Sequence, residues 1–214
     1  MRKSKALRVL VTGGPTRAYL DDFRFLSNHS TGELAFRLCE GLIKKGIATA
    51  LVSGPCEQPF STLKLKQHSA VETHRQMLAS VLNLCRTFKP DFVIFAAAVL
   101  DFEPEKTQKG KTTSRNVWTI RLKPTAKIID EVRKRFPKIQ RVGFKLEAGR
   151  MKPKTALAFA NSKVREQGLF ALCLNYRGDI SAQKHKALIW GPRHPVLVNS
   201  KKEIVRQLVK IITI

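Results

Sequence analysis

The sequence predicts a three-layer α/β fold: one mostly parallel β-sheet with helices on both faces. Two observations carry that expectation. Short, nearly continuous hydrophobic runs alternate with helix-period repeats along the chain, the pattern of strands buried on both faces and joined by helical crossovers. The first run then ends in a glycine turn that leads on to a helix, at the end of the sheet where open α/β folds hold their ligands.

Taken in order, the strand-like runs are residues 7–12, 48–53, 63–66, 92–97, 141–145, 170–175 and 187–190. The first leads into Val11-Thr-Gly-Gly-Pro-Thr-Arg17. A second glycine turn, Ser30-Thr-Gly32, opens a helix over 33–45 whose Leu34, Leu38 and Leu42 recur every four residues. Backbone N–H groups at such a turn have no partner inside the helix and lie at the positive end of its dipole, so they suit the phosphates of a nucleotide. Thr16, Arg17, Arg24, Ser27, Asn28, Ser30 and Thr31 crowd both turns with further donors for an anion. Neither Gly-x-Gly-x-x-Gly nor Gly-Lys-Ser is present, so the dinucleotide fingerprint and the P-loop both fail. Met77, Val81 and Cys85 mark a second helix, and Ser200 with Glu203 forms a capping-box pattern ahead of Ile204, Leu208 and Ile211. One segment breaks the alternation: 102–124 is polar and basic until Val117-Trp-Thr-Ile-Arg-Leu122, where Trp118, Ile120 and Leu122 would share one strand face. Gly13, Ala97, Phe144 and Asn175 all fall at carboxyl ends of the expected strands.

At 214 residues and 43% hydrophobic, the chain can bury one sizeable core and is read as a single domain, 1–214. The longest apolar run, 92–100, is too short to cross a bilayer. The basic start leads into a strand and not into a secretory core segment, so the expected location is the cytoplasm. Cys39, Cys56, Cys85 and Cys173 are widely spaced, and the five histidines do not fall at metal-ligand intervals; reduced, mostly buried thiols and no structural zinc are expected. The outlier is charge: 40 Lys+Arg against 16 Asp+Glu, net +24. The surplus recurs along the chain, at Arg2, Lys3, Lys5 and Arg8, from Lys106 to Lys123 and from Lys127 to Lys154. It fits either a solvated basic surface or a nucleic-acid binder. No nucleic-acid motif accompanies it and aromatic residues are only 7%, so stacking platforms are not evident and nucleic acid is not the expected partner.

The run Thr12-Gly-Gly-Pro-Thr-Arg17, Asp21, Arg24-Phe-Leu-Ser-Asn28 and Ser30-Thr-Gly32 resembles the N-terminal signature of the phosphopantothenoylcysteine synthetases, the phosphopantothenate-cysteine ligases of coenzyme A biosynthesis. Further segments resemble that family in the same order: Leu51-Val-Ser-Gly-Pro55, Ala96-Ala-Ala-Val-Leu-Asp-Phe102, the lysine loop Pro104-Glu-Lys-Thr-Gln-Lys109, Val142-Gly-Phe-Lys-Leu-Glu147, Asn175 and Ser200-Lys-Lys-Glu203. The resemblance implies a Rossmann-like three-layer fold with a small β flap, about 102–124, that pairs two subunits into a homodimer. It implies joining of 4'-phosphopantothenate to L-cysteine: the pantothenate carboxylate attacks the α-phosphate of CTP or ATP, pyrophosphate leaves, and the cysteine amine attacks the acyl-nucleotide. Mg2+ accompanies the nucleotide, no flavin is expected, and a separate phosphopantothenoylcysteine decarboxylase would act next.

Residue by residue, the resemblance places Gly14, Ser30, Gly32 and Ala35 at the nucleotide, with Phe144 and Asn175 on its base and sugar side. It gives Asn28 the pantothenate part and the acyl intermediate, and Ala97, Ala98 and Asp101 the rest of that pocket. Arg24 would reach across the dimer to the substrate phosphate, a task its bidentate fork fits. Lys106 and Lys109 belong to the mobile loop, with Lys106 the main cation at the reacting phosphate; Asn28, Lys106 and Lys109 are the catalytic candidates. Departures cluster near the nucleotide: Ala18 for a common Glu, Gln108 for a lysine, Tyr176 for a common Asp. They leave the choice of CTP or ATP open. Two other classes stay open: an NAD(P)-dependent reductase, weakened because Tyr19 and Tyr176 are followed four residues on by Phe23 and Ile180 where that chemistry needs lysine, and a basic nucleic-acid-binding or regulatory protein on an inactive ligase fold.

Overall fold

A computed structural model describes residues 6–181, 184–192 and 194–213; Arg2, Lys3 and Lys5 of the basic N-terminus lie outside the described residues. In chain order the elements are β1 (Arg8–Gly13), β2 (Arg17–Tyr19), β3 (Phe25–Ser27), α1 (Glu33–Lys44), β4 (Ala48–Ser53), β5 (Gln67–Ala70), α2 (His74–Thr87), β6 (Phe92–Phe95), β7 (Phe102–Pro104), β8 (Leu122–Pro124), α3 (Ile128–Arg135), β9 (Gln140–Glu147), α4 (Pro153–Gln167), β10 (Ala171–Ile180), β11 (His185–Trp190), β12 (Val196–Val198) and α5 (Lys201–Ile212).

Eight strands form one sheet in the order β12-β11-β10-β9-β6-β1-β4-β5. From β10 to β5 every pairing is parallel, while β11 and β12 add antiparallel pairings at one edge. Strand residues feed two cores by alternation. Val9 and Val11 face α1 and α5, whereas Leu10 faces α2 and α3. In β10, Ala171 and Cys173 join the first face, while Leu172 and Leu174 pack against α4. Burial on both faces is what makes these runs hydrophobic throughout. The mostly parallel α/β fold with helices on both faces is therefore as the sequence predicts. The chain leaves β1 toward β4 on one side and β6 on the other, which opens a crevice at their carboxyl ends.

Two expectations are corrected. The strand expected at 63–66 lies four residues later, at β5: Leu63 and Leu65 instead pack on the first core from a connecting segment after the 3-10 turn Phe60–Thr62. As an edge strand, β5 needs only backbone pairing to β4 on one side, so polar Gln67, His68 and Ser69 can form it. Nor do Trp118, Ile120 and Leu122 share a strand face. Only Leu122–Pro124 is a strand, pairing with β7 in a two-stranded hairpin; one further bond, Glu105 N to Arg121 O at 3.0 Å, continues it, and β7, three residues long, does not reach 117–120. A smaller difference is that β6 ends at Phe95, short of the 92–97 run.

Helix boundaries follow local chemistry. Thr73 and Gln76 cap α2 reciprocally. At α5 the Ser200 hydroxyl accepts from Glu203 N, but the Glu203 carboxylate takes the N–H of Asn199 in place of that of Ser200. The four cysteines are free, three of them buried; desolvation pushes Cys39 and Cys85 up to about 12, so these thiols stay protonated. Among the described residues no helix is long and apolar enough to cross a membrane.

Leu10, fully buried between β1 and α2, sets the first test. Leu10→Ala should lower unfolding free energy by about 3 kcal/mol, read from the shift of the urea midpoint.

Candidate active site

The loops after β1 and β4 meet backbone to backbone. Gly14 has φ +69, and a Cβ there would lie 2.8 Å from the Gly54 carbonyl oxygen. A Cβ on Gly54 would overlap the carbonyl oxygen of Pro15, and Gly54 N donates to Gly13 O at 2.9 Å. Both positions require glycine, one for its dihedral and the other for lack of space. The third strand joins the same knot: Ala98 N donates to Gly14 O at 2.9 Å, and Leu100 N to the Thr16 hydroxyl at 3.0 Å.

α1 begins at Gly32 (φ +72), which provides no side-chain cap. The hydroxyls of Ser30 and Thr31 lie 3.4 Å from the N–H groups of Gly32 and Glu33, at the long end of the hydrogen-bond range. Ala35 is buried and touches the turn, since a Cβ on Gly13 would collide with its own. Glu33, in the first turn, pairs with Lys201 and Arg37; the Lys201 hydrogen bond outweighs desolvation and lowers its pKa.

Beside this knot lies a cleft of about 670 Å³, lined by Asn28, Ala97, Ala98, Asp101, Phe144 and Lys163 among others. Asn28 closes one wall by donating from Nδ2 to the carbonyls of Ala98 and Val99 at 3.2 and 3.0 Å. Its side-chain oxygen carries no hydrogen bond to any described residue. Asp101 pairs with Lys127 at the start of α3 and accepts on its backbone from Thr125 N at 2.9 Å. Lys127, Lys145, Lys163 and Arg177 line the cleft with the single carboxylate of Asp101; Lys127 pairs with Asp101, and Lys145 and Lys163 pair with Glu147 and Glu166 outside the lining at 3.3 and 2.8 Å.

Lys163 was not singled out in the sequence. It is one basic residue among many on α4, and only the packing of that helix on β10 carries it to the cleft. Five expected residues, Asn28, Ala97, Ala98, Asp101 and Phe144, are brought together there. Asn175 is not among the lining residues. It is 6% exposed, opposite Leu146 and Ala187 in register, and accepts from the Cys173 thiol at 3.2 Å.

Lys106 and Lys109 are exposed on the loop after β7. Lys106 lines a separate cavity of about 310 Å³ with Leu20, Trp118 and Arg121. Arg24 donates from Nη1 to Asp21 Oδ2 at 2.7 Å and to Thr112 O at 3.2 Å, and its guanidinium lies 5.7 Å from the Trp118 ring centroid. Burial alone would raise the Asp21 carboxyl, but the backbone N–H groups of Phe23, Thr112 and Arg24 and the Arg24 charge bring it down to about 2.

Parallel strands, glycine turns at the point where strand order reverses and a cleft over the strand ends define a doubly wound α/β domain. Within that class, the chain belongs to the family described as DNA/pantothenate metabolism flavoprotein, C-terminal domain, whose model matches residues 4–214. A similar relative is the coenzyme A biosynthesis bifunctional protein CoaBC of Thermococcus kodakarensis, 29% identical over 184 residues, 86% of this chain and 45% of the relative. The chain thus spans about half the length of the curated relatives it matches. Among solved structures, the DNA/pantothenate metabolism flavoprotein of Streptococcus pneumoniae superposes with TM-score 0.83 at 24% identity, covering 97% of this chain and 99% of that one. The C-terminal domain of a CoaBC protein superposes with TM-score 0.74 at 25% identity, over 96% and 93%. The family suggested by the sequence motifs is the family found.

Two outcomes follow from this geometry. Gly54→Ala should cost about 3 kcal/mol, since it forces apart two backbones and not a flexible side chain; denaturant midpoints check this. Because the Asp21 pKa is lowered from 3.8 to about 2, its carboxylate contributes stability that is whole above about pH 4 and is lost as pH falls through 2. The fall in Tm across that window should be smaller in Asp21→Asn than in the parent.

Proposed function

We propose that this domain is a phosphopantothenate-cysteine ligase acting in the cytoplasm: it joins 4'-phosphopantothenate to L-cysteine, with MgCTP or MgATP as co-substrate. The observation that carries this reading is the convergence of Asn28, Ala97, Ala98, Asp101 and Phe144 on one cation-lined cleft at the strand ends. Family membership and the coenzyme A role in the relatives' name support it.

The chemistry uses what the cleft offers. A carboxylate acylates an amine only after its oxygen is turned into part of a phosphate leaving group. In the first step the phosphopantothenate carboxylate oxygen bonds to the α-phosphorus and the bond to pyrophosphate breaks. In the second the cysteine amine adds to the acyl carbon, loses a proton, and expels the nucleoside monophosphate. No protein nucleophile is needed; the site must stabilise charge on the α-phosphoryl oxygens and on pyrophosphate. The family resemblance gives Lys106 as the cation for the reacting phosphate, with Lys109 beside it on the same loop; both stand outside the cleft lining, so this assignment rests on the resemblance, as does that of the phosphates to Gly14, Ser30 and Gly32 at the positive end of α1. Ala35 contributes by letting α1 approach Gly13 closely. Phe144 and Asn175 take the base and sugar side. Asn28, fixed by two carbonyls, presents its amide oxygen side to the pantothenate amides and the acyl intermediate, and Ala97 and Ala98 leave room for them.

Mg2+ enters this reading as part of the nucleotide substrate, held mainly by phosphate oxygens and water, as is usual for this ion.

The working unit is a homodimer. Phe23, Phe102, Val117 and Leu122 are 67%, 52%, 95% and 44% exposed on the adjoining hairpins and their loops, an apolar surface that a second copy would cover. A partner's Arg24 then supplies the phosphate clamp. The product keeps the cysteine carboxylate, the group that a separate decarboxylase acting next would remove.

Pyrophosphate release assayed with Mg2+ and CTP or ATP should require 4'-phosphopantothenate and yield the cysteine adduct. Lys106→Ala should lower kcat by about 100-fold or more. No release with either nucleotide would overturn the ligase reading. Sedimentation should give a dimer, and Leu122→Asp a monomer; a parent that sediments as a monomer would remove the shared-site arrangement.

A further inference from the structure

Asp21 is fully buried next to a surface loop, and its carboxylate is engaged on both oxygens. Oδ1 accepts from the backbone of Phe23 and Arg24 at 2.9 and 2.7 Å, closing the 21–24 turn. Oδ2 accepts from Arg24 Nη1 at 2.7 Å and from Thr112 N at 3.2 Å. The same Nη1 donates to Thr112 O at 3.2 Å, so Asp21, Arg24 and Thr112 form a closed ring.

Four more bonds run alongside. Gln108 N donates to Leu20 O at 3.0 Å, the Thr107 hydroxyl to Tyr19 O at 3.1 Å, Gly110 N to Asp22 Oδ2 at 2.8 Å, and Asp22 N to Gly110 O at 3.3 Å. Residues 19–24 are thus zipped to 107–112, the stretch that carries Lys109 and directly follows Lys106. Among the described residues Arg24 spends only Nη1 on this anchorage; the rest of its fork, on a side chain 39% exposed, is open to a ligand.

We infer that Asp21 is a positioning residue that locks the substrate-side arginine Arg24 and the lysine loop 106–112 into one rigid cationic unit. The inference rests on the ligase reading for what Arg24 and Lys106 do, but the mechanical tie stands on the bonds alone. A carboxylate is the side chain that can do this. It offers four acceptor sites to four donors and neutralises the guanidinium that would otherwise repel the nearby lysines. Asparagine has the same shape, but its amide would face donors with donors at one of the two oxygens. Without the tie, each cation would have to be ordered separately when substrate arrives, at an entropic cost that falls on catalysis.

Hydrogen exchange and kinetics on parent and Asp21→Asn together test this. The amides of Gly110 and Thr112 should exchange at least about tenfold faster in the variant, while those of β1, β4 and β6 keep their protection. The KM for 4'-phosphopantothenate should rise at least about tenfold. Asp21→Asn and Arg24→Ala should also be non-additive, the double variant matching Arg24→Ala in kcat/KM within about twofold. Unchanged loop exchange, or effects that multiply in full, would overturn the inference. If Asp21→Asn does not fold, Arg24→Ala opens the ring from its other corner, and unchanged exchange at Thr112 there overturns it equally. If the parent turns over neither nucleotide, the ligase reading fails while the exchange data still decide the tie.

Discussion

The contact between the Gly13-Gly14-Pro15 turn and Gly54 is the constraint on which the site depends. It joins the carboxyl ends of β1 and β4 through backbone atoms. Ala98 N on Gly14 O then adds the end of β6, and Asn28 ties the loop before α1 to the same strand end through the carbonyls of Ala98 and Val99. Three strand ends and one helix start are thereby held in a fixed relation by groups too short to flex. Small residues recur here for one physical reason: each Cβ would occupy space that a neighbouring backbone, or a ligand approaching it, needs.

Electrostatics gives this rigid frame its task. On the proposed reading two phosphorylated substrates that repel each other meet here, which calls for cations, and basic side chains stand on the cleft lining and on the lysine loop. Most ion pairs on this surface are exposed, such as Lys44 with Glu40, and contribute little to stability. Asp21 differs because it is buried and fully hydrogen-bonded; it organises positive charge as well as neutralising it. The net charge of +24 far exceeds what the cleft uses, and the structure gives no physical account of the surplus.

Much of this was legible in the sequence, for identifiable reasons. Strands buried on both faces announce themselves as apolar runs, so β1, β4, β9 and the start of β10 fall where expected. The edge strand β5 does not, because pairing on one side by backbone alone leaves its side chains free to be polar. The apolar period of Trp118, Ile120 and Leu122 suggested a strand, but a strand exists only where a partner lies beside it. At the site, short motifs led to Asn28, Ala97, Ala98, Asp101 and Phe144. Lys163 carried no such signal, and neither did the bond from Thr112 to Asp21, which spans 91 positions. Both depend on how distant segments pack, which local pattern does not encode.

The most direct test of ligation at this cleft is the fate of the pantothenate carboxylate oxygen. With 4'-phosphopantothenate labelled in heavy oxygen at the carboxylate, attack on the α-phosphate followed by attack of cysteine must leave one labelled oxygen in the nucleoside monophosphate at each turnover, read by mass spectrometry. Label found in the monophosphate establishes the acyl-nucleotide route. Turnover that leaves the monophosphate unlabelled, or that places the label in inorganic phosphate with release of the diphosphate, contradicts it.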